Sequence, residues 1–414
     1  MQLNPEILSG ARVLAAYIIF FVSYFVFALG KFPGLKIDRP GAAIIGAVLM
    51  VAFRAMSTQD ALRAIDFATI VLLFSMMLIV ANLQVDGFFD WVAGSIVLRL
   101  SARRLLPAVI LTSGILSAFL VNDIVCLVMT PFVLGLTRRL SLNPMPYLLA
   151  VATASNIGSV ATITGNPQNI LIGSISKIPY LNFLIHLGPI ALVGLFIDWA
   201  LIHWLYLRES TIRRDREGAS APDFKRHPSS LKPVMVLAFV LLGFLVGAPP
   251  AMVAALGAAV LLVTRTTEPR RVYEQVDWGL LVFFIGLFII VGGAERAGLT
   301  ETLLRPFTAW NLHRIWSFSL LTALLSNVVS NVPAVMLLKS LVPAFADPRT
   351  GWLALAMSST LGGNLTITGS VANIIVVERA RPDVHIGFRD YFRLGLPLTA
   401  ITLLWGIAWL TWIH

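Results

Sequence analysis

The chain has 414 residues, of which 57% are hydrophobic and 13% charged, and its formal net charge is +10. Its mean hydropathy is +0.84, whereas soluble domains carry about 25% charged residues. This composition excludes a soluble enzyme or binding domain and predicts an integral membrane protein. The strands of a membrane barrel alternate over about 10 residues, but the apolar runs here are long and continuous, so we expect helices throughout.

The first half of the chain, residues 1–207, predicts five membrane crossings and one hairpin. The sequence suggests spans at 11–29, 40–56 and 67–85, a short amphipathic segment, a hairpin at 104–140, an interrupted span at 145–176 and a closing helix at 187–207. Asn122 and Asp123 interrupt the hairpin, which we therefore interpret as re-entrant. The first span lacks a small-residue cleavage pattern and is predicted to be a retained helix.

The second half, residues 231–414, follows the same plan. Its predicted spans are 231–247, 250–264 and 278–293, followed by a hairpin at 314–346, an interrupted span at 351–378 and a final helix at 392–413. Arg54 and Asp66 recur 211 positions later as Arg265 and Asp277. Duplicating an odd number of crossings inverts the second copy. The predicted fold class is an all-α polytopic membrane protein, an inverted-topology repeat of two five-span halves with ten spans and two hairpins.

The distribution of positive charge predicts the orientation. When the basic linker 208–230 is placed in the cytoplasm, 22 of the 31 Lys and Arg residues fall on that side, as the positive-inside tendency requires. Both termini are then extracytoplasmic, in an inner (plasma) membrane. The charged linker is better explained by proximity to anionic lipid than by nucleic-acid binding, and no nucleic-acid partner is expected.

A short motif occurs once in each interrupted span. The sequence Thr-Ile-Thr-Gly occupies 162–165 and again 366–369, and over 158–170 seven of thirteen residues are identical to those 204 positions later. Gly and Pro weaken a helix, and the backbone groups they free are tolerated in a membrane where they line a cavity. Small residues alone often serve helix packing, but two copies in register predict a binding site made by two broken helices.

Polar side chains near these breaks form the predicted substrate site. Their amides and hydroxyls can both donate and accept hydrogen bonds. The predicted substrate-binding residues are Asn122, Asn156, Thr162, Thr164, Asn166, Asn169, Asn327, Asn331, Asn364, Thr366, Thr368, Ser370 and Asn373.

Three ionisable residues in apolar segments are predicted to couple protons or ions to transport. Asp123 lies in the first hairpin, where an ionised carboxylate is costly without a partner, so we expect it to carry a proton. Lys339 of the second hairpin is its expected counter-charge, with snorkelling to the surface as the alternative. Asp198 is either a second titratable site or part of a polar pair with His203.

The run from Ser117 to Asp123, together with Ser155-Asn156-Ile157-Gly158 and Gly165-Asn166-Pro167-Gln168-Asn169, resembles the ion transporter superfamily over nearly the whole chain. It is most similar to the ArsB-type arsenite efflux permeases. The resemblance implies an alternating-access carrier that exports arsenite and antimonite, alone or joined to a separate cytoplasmic ATPase. The chain has no phosphate-binding loop and no common hydrolytic motif, so it is expected to be a transporter and not an enzyme, and no cofactor or resident metal is predicted.

The residue chemistry agrees with arsenite as a substrate. Arsenous acid is a largely neutral trihydroxide near pH 7, which Asn, Thr and Ser can bind by hydrogen bonds. The single Cys126 cannot form a three-thiolate site. A sodium/proton antiporter using Asp123 is the first alternative, and an anion carrier, which we expect to need more fixed positive charge, is the second.

Overall fold

The computed structural model describes residues 10–31, 34, 36–97, 102–207, 231–264, 268–304 and 311–413. Within these ranges the regular structure is helical, and one isolated antiparallel bridge joins Lys31 to Asp38. The prediction of an all-helical protein is therefore confirmed for the described residues. The linker 208–230 lies outside them, and the division of the chain into two repeats on either side of it stays a prediction.

The described residues of the first half form ten α-helices. They are α1 Gly10–Leu29, α2 Arg39–Ala52, α3 Thr58–Ala64, α4 Phe67–Val85, α5 Phe88–Val97, α6 Ala102–Phe119, α7 Asn122–Arg139, α8 Met145–Ser159, α9 Pro167–Ser176 and α10 Tyr180–Ile202. A π-helical turn, His203–Leu207, extends α10. The predicted hairpin is the pair α6 and α7, and the predicted interrupted span is the pair α8 and α9.

The second half repeats this order of elements. Its helices are α11 Lys232–Leu245, α12 Pro250–Val263, α13 Pro269–Tyr273, α14 Trp278–Arg296, α15 Leu299–Leu304, α16 Ile315–Val329, α17 Asn331–Leu338, α18 Pro348–Gly362, α19 Val371–Ala380 and α20 Phe388–Ile413. Short 3₁₀ turns follow at Lys339–Ala344 and Ile367–Gly369. The shared element order supports the repeat, while its inverted orientation stays a prediction.

Several predicted helix ends were wrong by three to seven residues, among them that of the final helix, which begins at Phe388 and not at 392. Two of these differences have a local explanation. The span predicted over 40–56 is helical only to Ala52, because Phe53 ends the helix and Arg54 adopts a left-handed backbone conformation with φ of 56°. The helix predicted to begin at 187 begins at Tyr180, directly after Pro179. Pro179 lacks a donor but stands before the first helical residue, where none is needed.

Helix length separates full crossings from shorter helices. Five helices among the described residues are long and apolar enough to cross a bilayer, namely Gly10–Leu29, Phe67–Val85, Tyr180–Leu207, Trp278–Arg296 and Phe388–Ile413. The 14-residue helices α2, α11 and α12 are each only about 21 Å long, against a hydrocarbon core of about 30 Å. The chain is a multi-pass membrane protein, but the count of ten spans stays a prediction.

The helices pack as two groups. In the supporting group, α2 packs on α14, α4 on α12, and α1 on both α2 and α14. In the core group, α6 packs on α8, α7 on α19, and α10 on both α8 and α20. Helix α18 packs on α16, and α9 and α17 also pack on it. The core group thus contains both hairpins and both broken helices.

Polar contacts join helix ends at two opposite faces of the protein. At one end, called the Arg138 face, Arg138 forms an ion pair with Asp383, and the Tyr206 hydroxyl donates to the Asp390 carbonyl at 2.7 Å. At the other end, called the Arg296 face, Arg296 forms an ion pair with Asp60. Each pair joins residues that the charge distribution places on the same side of the membrane. The assignment of the Arg138 face to the cytoplasm stays a prediction.

Candidate functional site

The two broken helices meet at the side chain of Asn156, which lies in α8 three residues before its end. Its Nδ2 donates to Asn364 Oδ1 and to Asn373 Oδ1, both at 2.9 Å. Its Oδ1 accepts from Asn122 Nδ2 and from Ser370 Oγ, both at 3.0 Å. Asn156 thereby fills its whole hydrogen-bonding capacity and links the first hairpin with both sides of the second break.

A second cluster forms around Thr360 of α18. The Thr360 hydroxyl accepts from Asn166 Nδ2 and from Gln168 Nε2, both at 3.2 Å. With the Asn331 amide oriented to suit its neighbours, its oxygen accepts from Gln168 Nε2 at 3.1 Å and its nitrogen donates to the Gly369 carbonyl at 3.1 Å. The second hairpin is thus tied to the break of the first repeat.

Equivalent asparagines brace the two breaks. Asn169 Nδ2 donates to the carbonyls of Ser159 and Thr162, both at 3.0 Å. In the second copy Asn373 Nδ2 donates to the carbonyls of Gly363 and Thr366, at 2.8 and 3.0 Å. The Ser159 and Gly363 carbonyls lie where α8 and α18 end, so each amide replaces a helical bond there, and its second bond supports the turn that begins at Thr162 or Thr366. The repeated Asn is therefore explained by backbone support as well as by any contact with a ligand.

The hairpin tips also contact the breaks. The Asn122 amide N–H donates to the Gly165 carbonyl at 3.0 Å. In the second copy Asn327 Nδ2 donates to the Gly362 carbonyl at 2.6 Å, and its Oδ1 accepts from Thr366 Oγ1 at 3.1 Å. The structure thus gathers the predicted polar residues from both hairpins and both broken helices.

Glycine makes the close approach of these helices feasible. A Cβ at Gly158 would lie 2.0 Å from the Gly114 carbonyl oxygen, and one at Gly362 would lie 2.8 Å from Ala323 Cα. Side chains at these two positions would push α8 away from α6 and α18 away from α16. The glycines before each break therefore serve helix packing, which is the structural explanation that the sequence left open.

The two copies of the motif differ in exposure. Thr164 is fully buried, and its hydroxyl lies 2.9 Å from the Tyr180 hydroxyl. Thr162 is also buried and donates to the Ala118 carbonyl. Thr366 is half-buried and Thr368 is exposed. The predicted site therefore has an enclosed side and an open side.

The predicted pairing of Lys339 with Asp123 is wrong. Lys339 Nζ lies 3.1 Å from Glu295 Oε1 of α14, at the Arg296 face. Asp123 is half-buried in α7 and has no hydrogen bond or ion pair within the described part of the chain. The two residues lie at different depths in their hairpins: Asp123 directly follows the tip at Asn122, whereas Lys339 lies eight residues beyond Asn331, the first residue of α17. Asp123 as a proton carrier stays a prediction.

Asp198 is the more deeply buried carboxyl. It is 0% exposed, and its oxygens accept from one hydroxyl, that of Thr153, at 2.9 and 3.1 Å. The same hydroxyl lies 2.8 Å from the Leu149 carbonyl, so its single hydrogen is shared. The Thr153 carbonyl accepts from Asn364 Nδ2 at 3.4 Å, which connects Asp198 to the central amides. The predicted partner His203 instead stacks on Trp199 with ring centroids 5.9 Å apart.

Several members of the site were missed by reasoning from the sequence. Gln168, Tyr180 and Thr360 contact predicted residues directly, and the buried Tyr391 has Asn373 and Asp198 as electrostatic neighbours. Thr360 could have been predicted only from the repeat, because it stands 204 positions after Asn156 and is the counterpart of that residue. Among the described residues no group of three or more His, Cys, Asp or Glu side chains could hold a metal ion.

Two buried acceptor atoms within the site have no hydrogen-bond partner in the described part of the chain. They are Asn122 Oδ1 and Asn169 Oδ1. A buried carbonyl oxygen without a donor is unfavourable and calls for a ligand, a water molecule or a change of conformation. These atoms can accept from a hydroxyl group or coordinate a cation.

Comparison with known proteins identifies the family. The model of the CitMHS citrate transporter family matches residues 24–353. The silicon efflux transporter LSI3 of Oryza sativa is 29% identical, covering 96% of this chain and 97% of that protein. A Dictyostelium discoideum protein named "Putative transporter arsB" is 26% identical, and the match covers 97% of this chain and 93% of that protein. The uncharacterised transporter Rv2685 of Mycobacterium tuberculosis is 31% identical, and the match covers 95% of this chain and 98% of that protein.

The fold has a counterpart among solved structures. The YdaH transporter of Alcanivorax borkumensis, described as having an unusual topology, aligns over 97% of both chains with a TM-score of 0.55 and 15% sequence identity. At that identity the likeness concerns the fold alone. The chain is thus a membrane transporter, not an enzyme, and it belongs to the CitMHS citrate transporter family of the ion transporter superfamily.

Proposed function

We propose that this protein exports trivalent arsenite and antimonite as neutral hydroxides, at the site between its two broken helices. The observation that carries the proposal is the pair of unpartnered acceptors, Asn122 Oδ1 and Asn169 Oδ1, in a cluster otherwise made of amides and hydroxyls. Arsenous acid offers three O–H donors and no charge. It can satisfy such acceptors without a fixed counter-charge.

The names of two relatives support this chemistry. Silicon in neutral water is a tetrahydroxide, and the rice relative is named a silicon efflux transporter. The Dictyostelium relative carries the name arsB. Silicic and arsenous acids are both small, neutral and rich in O–H groups, so one kind of amide and hydroxyl site serves either. Silicic acid is accordingly the competitor to test first.

The sodium/proton antiporter is the second candidate, and the same two oxygens favour it. Amide carbonyls are suitable ligands for a hard cation. The anion carrier named by the family model has a different requirement. Helices α9 and α19 both begin at the breaks, and the positive ends of their dipoles favour an anion. The unpartnered amide oxygens have the opposite effect, because a carbonyl oxygen repels an anion. Lys339, the cation predicted for the site, pairs with Glu295 elsewhere.

For the coupling proton we favour Asp198 over Asp123. An ionised carboxylate that is 0% exposed, with one shared hydroxyl as its donor, is strongly disfavoured. Asp198 therefore needs a proton or a bound cation in this conformation, and it is more deeply buried than the half-buried Asp123. Asp198 also connects to the site through Thr153 and Asn364, so its protonation can respond to rearrangement of the central amides.

The test is uptake of radiolabelled arsenite into inside-out vesicles with defined pH and voltage. The proposal expects uptake driven by an outward-directed proton gradient, with the vesicle lumen acidic, and competition by antimonite and silicic acid. Citrate should not compete. Sodium transport without arsenite uptake would favour the antiporter, and competition by citrate alone would favour the anion carrier.

Association with a cytoplasmic ATPase is a separate proposal. We infer that a motor would dock on the basic linker 208–230, because that segment carries six Lys and Arg residues, more than any other predicted loop of the chain. Removing its charged residues should abolish ATP-stimulated export and leave gradient-driven export intact. Unchanged export in both assays would mean that the carrier works alone.

A further inference from the structure

The two repeats are not in equivalent states at the boundary between the core and supporting groups. At the Arg296 face, Lys339 of the second hairpin forms its ion pair with Glu295 of α14. Tyr24 of α1 lies in the same cluster: its hydroxyl donates to the Pro333 carbonyl of α17 at 3.1 Å, and Glu295 is its electrostatic neighbour. The second hairpin is thereby fastened to the supporting group.

The equivalent place in the other repeat is open. The counterpart of Glu295 is Gln84, which stands 211 positions earlier. The counterpart of Lys339 is Thr130, which stands 209 positions earlier, and the same offset of 209 separates the first residues of α7 and α17. The Thr130 hydroxyl donates within its own helix, to Cys126 O at 2.7 Å. Gln84 instead lines a cavity of about 500 Å³, together with Asp90, Gln275, Arg379 and residues 127–129, 131 and 132 of α7. No ion pair spans this cavity among the described residues.

A second pair of equivalent positions shows the same asymmetry. Ser174 of α9 donates to Asp66 Oδ2 at 2.7 Å and fastens the first broken helix to the start of α4. Their counterparts are Glu378 and Asp277, both exposed carboxylates. Two carboxylates repel each other and cannot form this bond when ionised. Both fastenings thus exist at one face and are absent from the described residues at the other.

The motif copies agree with this picture. Tyr180, at the start of α10, covers Thr164, whereas Thr368 is exposed. Three independent comparisons between the repeats therefore show one closed end and one open end.

We propose that Lys339–Glu295 and Ser174–Asp66 are latches that close the Arg296 face during alternating access, and that the 500 Å³ cavity is the matching solute entrance at the Arg138 face. Lys339 and Glu295 are then positioning residues that act through the two helix groups, without touching the solute. In the opposite state the latches separate and α7 moves against Gln84. The inference rests on the proposed carrier function but not on arsenite as the substrate.

Cysteine accessibility tests the entrance directly. Leu127, half-buried in the cavity wall, is replaced by Cys in a Cys126→Ala background and labelled with a membrane-impermeant maleimide. We expect labelling only from the Arg138 face, and a slower rate in Lys339→Gln because the open state loses its latch. The expected shift in the equilibrium is about fivefold, as for a modest ion pair. The charge exchange Lys339→Glu with Glu295→Lys should restore the rate.

A matched control lies beside the latch. Arg296 of α14 forms an ion pair with Asp60 of α3, which packs on α14 and so belongs with the supporting group. Replacing Asp60 by Asn and Arg296 by Gln should not change labelling of the Leu127→Cys variant. Unchanged labelling in Lys339→Gln, or an equal change in the control, would overturn the proposal.

Cross-linking supplies the second measurement. Joining cysteines at 339 and 295 with a short bifunctional maleimide should stop transport, a loss of about tenfold or more, while the thiol introduced by Leu127→Cys stays accessible. Joining cysteines at 60 and 296 should leave transport intact. Normal transport by the 339–295 conjugate would contradict the latch. Accessibility needs no substrate, so a failure of arsenite uptake alone leaves this test standing.

Discussion

The Asn156 amide of the first broken helix donates to Asn373 Oδ1 of the second at 2.9 Å, in a fully buried position. This bond, with its partner from the same nitrogen to Asn364 Oδ1, unites the two halves of the chain at their breaks. Substitution at Asn156 therefore affects both halves at once.

Asn156→Asp should lower transport at least tenfold, roughly the effect of removing a buried hydrogen-bonded network. The new oxygen faces the acceptor oxygens of Asn364 and Asn373, and it adds a charge where the native amide donated. Uptake and apparent melting temperature in detergent measure the effect. Asn143→Asp is the control, because Asn143 is exposed and its Oδ1 accepts from Met145 N–H in either form. Wild-type uptake by Asn156→Asp would refute the central role of this amide.

Gly158→Ala should destabilise the protein by about 1–3 kcal/mol, the usual range for overpacking. The added methyl group would meet the Gly114 carbonyl oxygen at 2.0 Å, which is backbone and cannot rotate away. Thermal unfolding in detergent measures the change. Gly188→Ala is the matched control, since its new Cβ would lie 3.5 Å from the nearest atom, Leu184 Cδ1. Equal melting temperatures for the two variants would contradict the argument from close packing.

Asp198→Asn should uncouple transport from the pH gradient without unfolding the protein. The amide keeps the size of the carboxyl and can accept from the Thr153 hydroxyl, but it cannot bind and release a proton in the physiological pH range. Uptake into vesicles with and without an imposed gradient measures the coupling. Asp123→Asn is the informative comparison: loss of coupling there, with normal coupling in Asp198→Asn, would assign the proton to Asp123.

Cys126→Ala should retain arsenite transport to within about twofold, because one buried thiol cannot provide the three soft ligands that trivalent arsenic prefers. Cys126 is fully buried and lies 2.8 Å from Ser155 Oγ, so it acts as a small packing residue. Initial uptake rates check this expectation. A loss of more than tenfold, with normal folding, would favour thiolate ligation over binding as a hydroxide.

The Asp60–Arg296 pair should stabilise the Arg296 face only above acidic pH. The hydrogen bond from Ser57, followed by that from Arg296, lowers the pKa of Asp60 below its ordinary value. Because this pKa is lowered in the folded state, the ionised Asp60 contributes its full stabilisation above the unfolded-state pKa of about 4. That contribution to the free energy of unfolding disappears as the pH falls through the folded-state pKa. Melting temperatures of the native chain and Asp60→Asn should therefore differ at pH 7 and converge towards pH 3. A constant difference would contradict the linkage.

Local sequence determined much of this architecture. Long apolar runs predicted α1, α4 and α14, and Pro167 and Gly165 marked the break between α8 and α9 because these residues act within one or two positions of themselves. Polar residues in apolar surroundings likewise pointed to Asn156 and Asn373, since a membrane tolerates them only with partners.

The partners themselves depend on contacts between distant segments. Nothing local in the sequence assigns Lys339 to Glu295 instead of Asp123, Thr360 to Gln168, or Tyr180 to Thr164, because each pairing arises from the packing of separate helices. The open cavity beside Gln84 has the same origin: equivalent sequences in two repeats can occupy unlike environments in one conformation. The sequence by itself thus determined the helices and the polar residues within them, while the tertiary structure alone decided their partners and which face is closed.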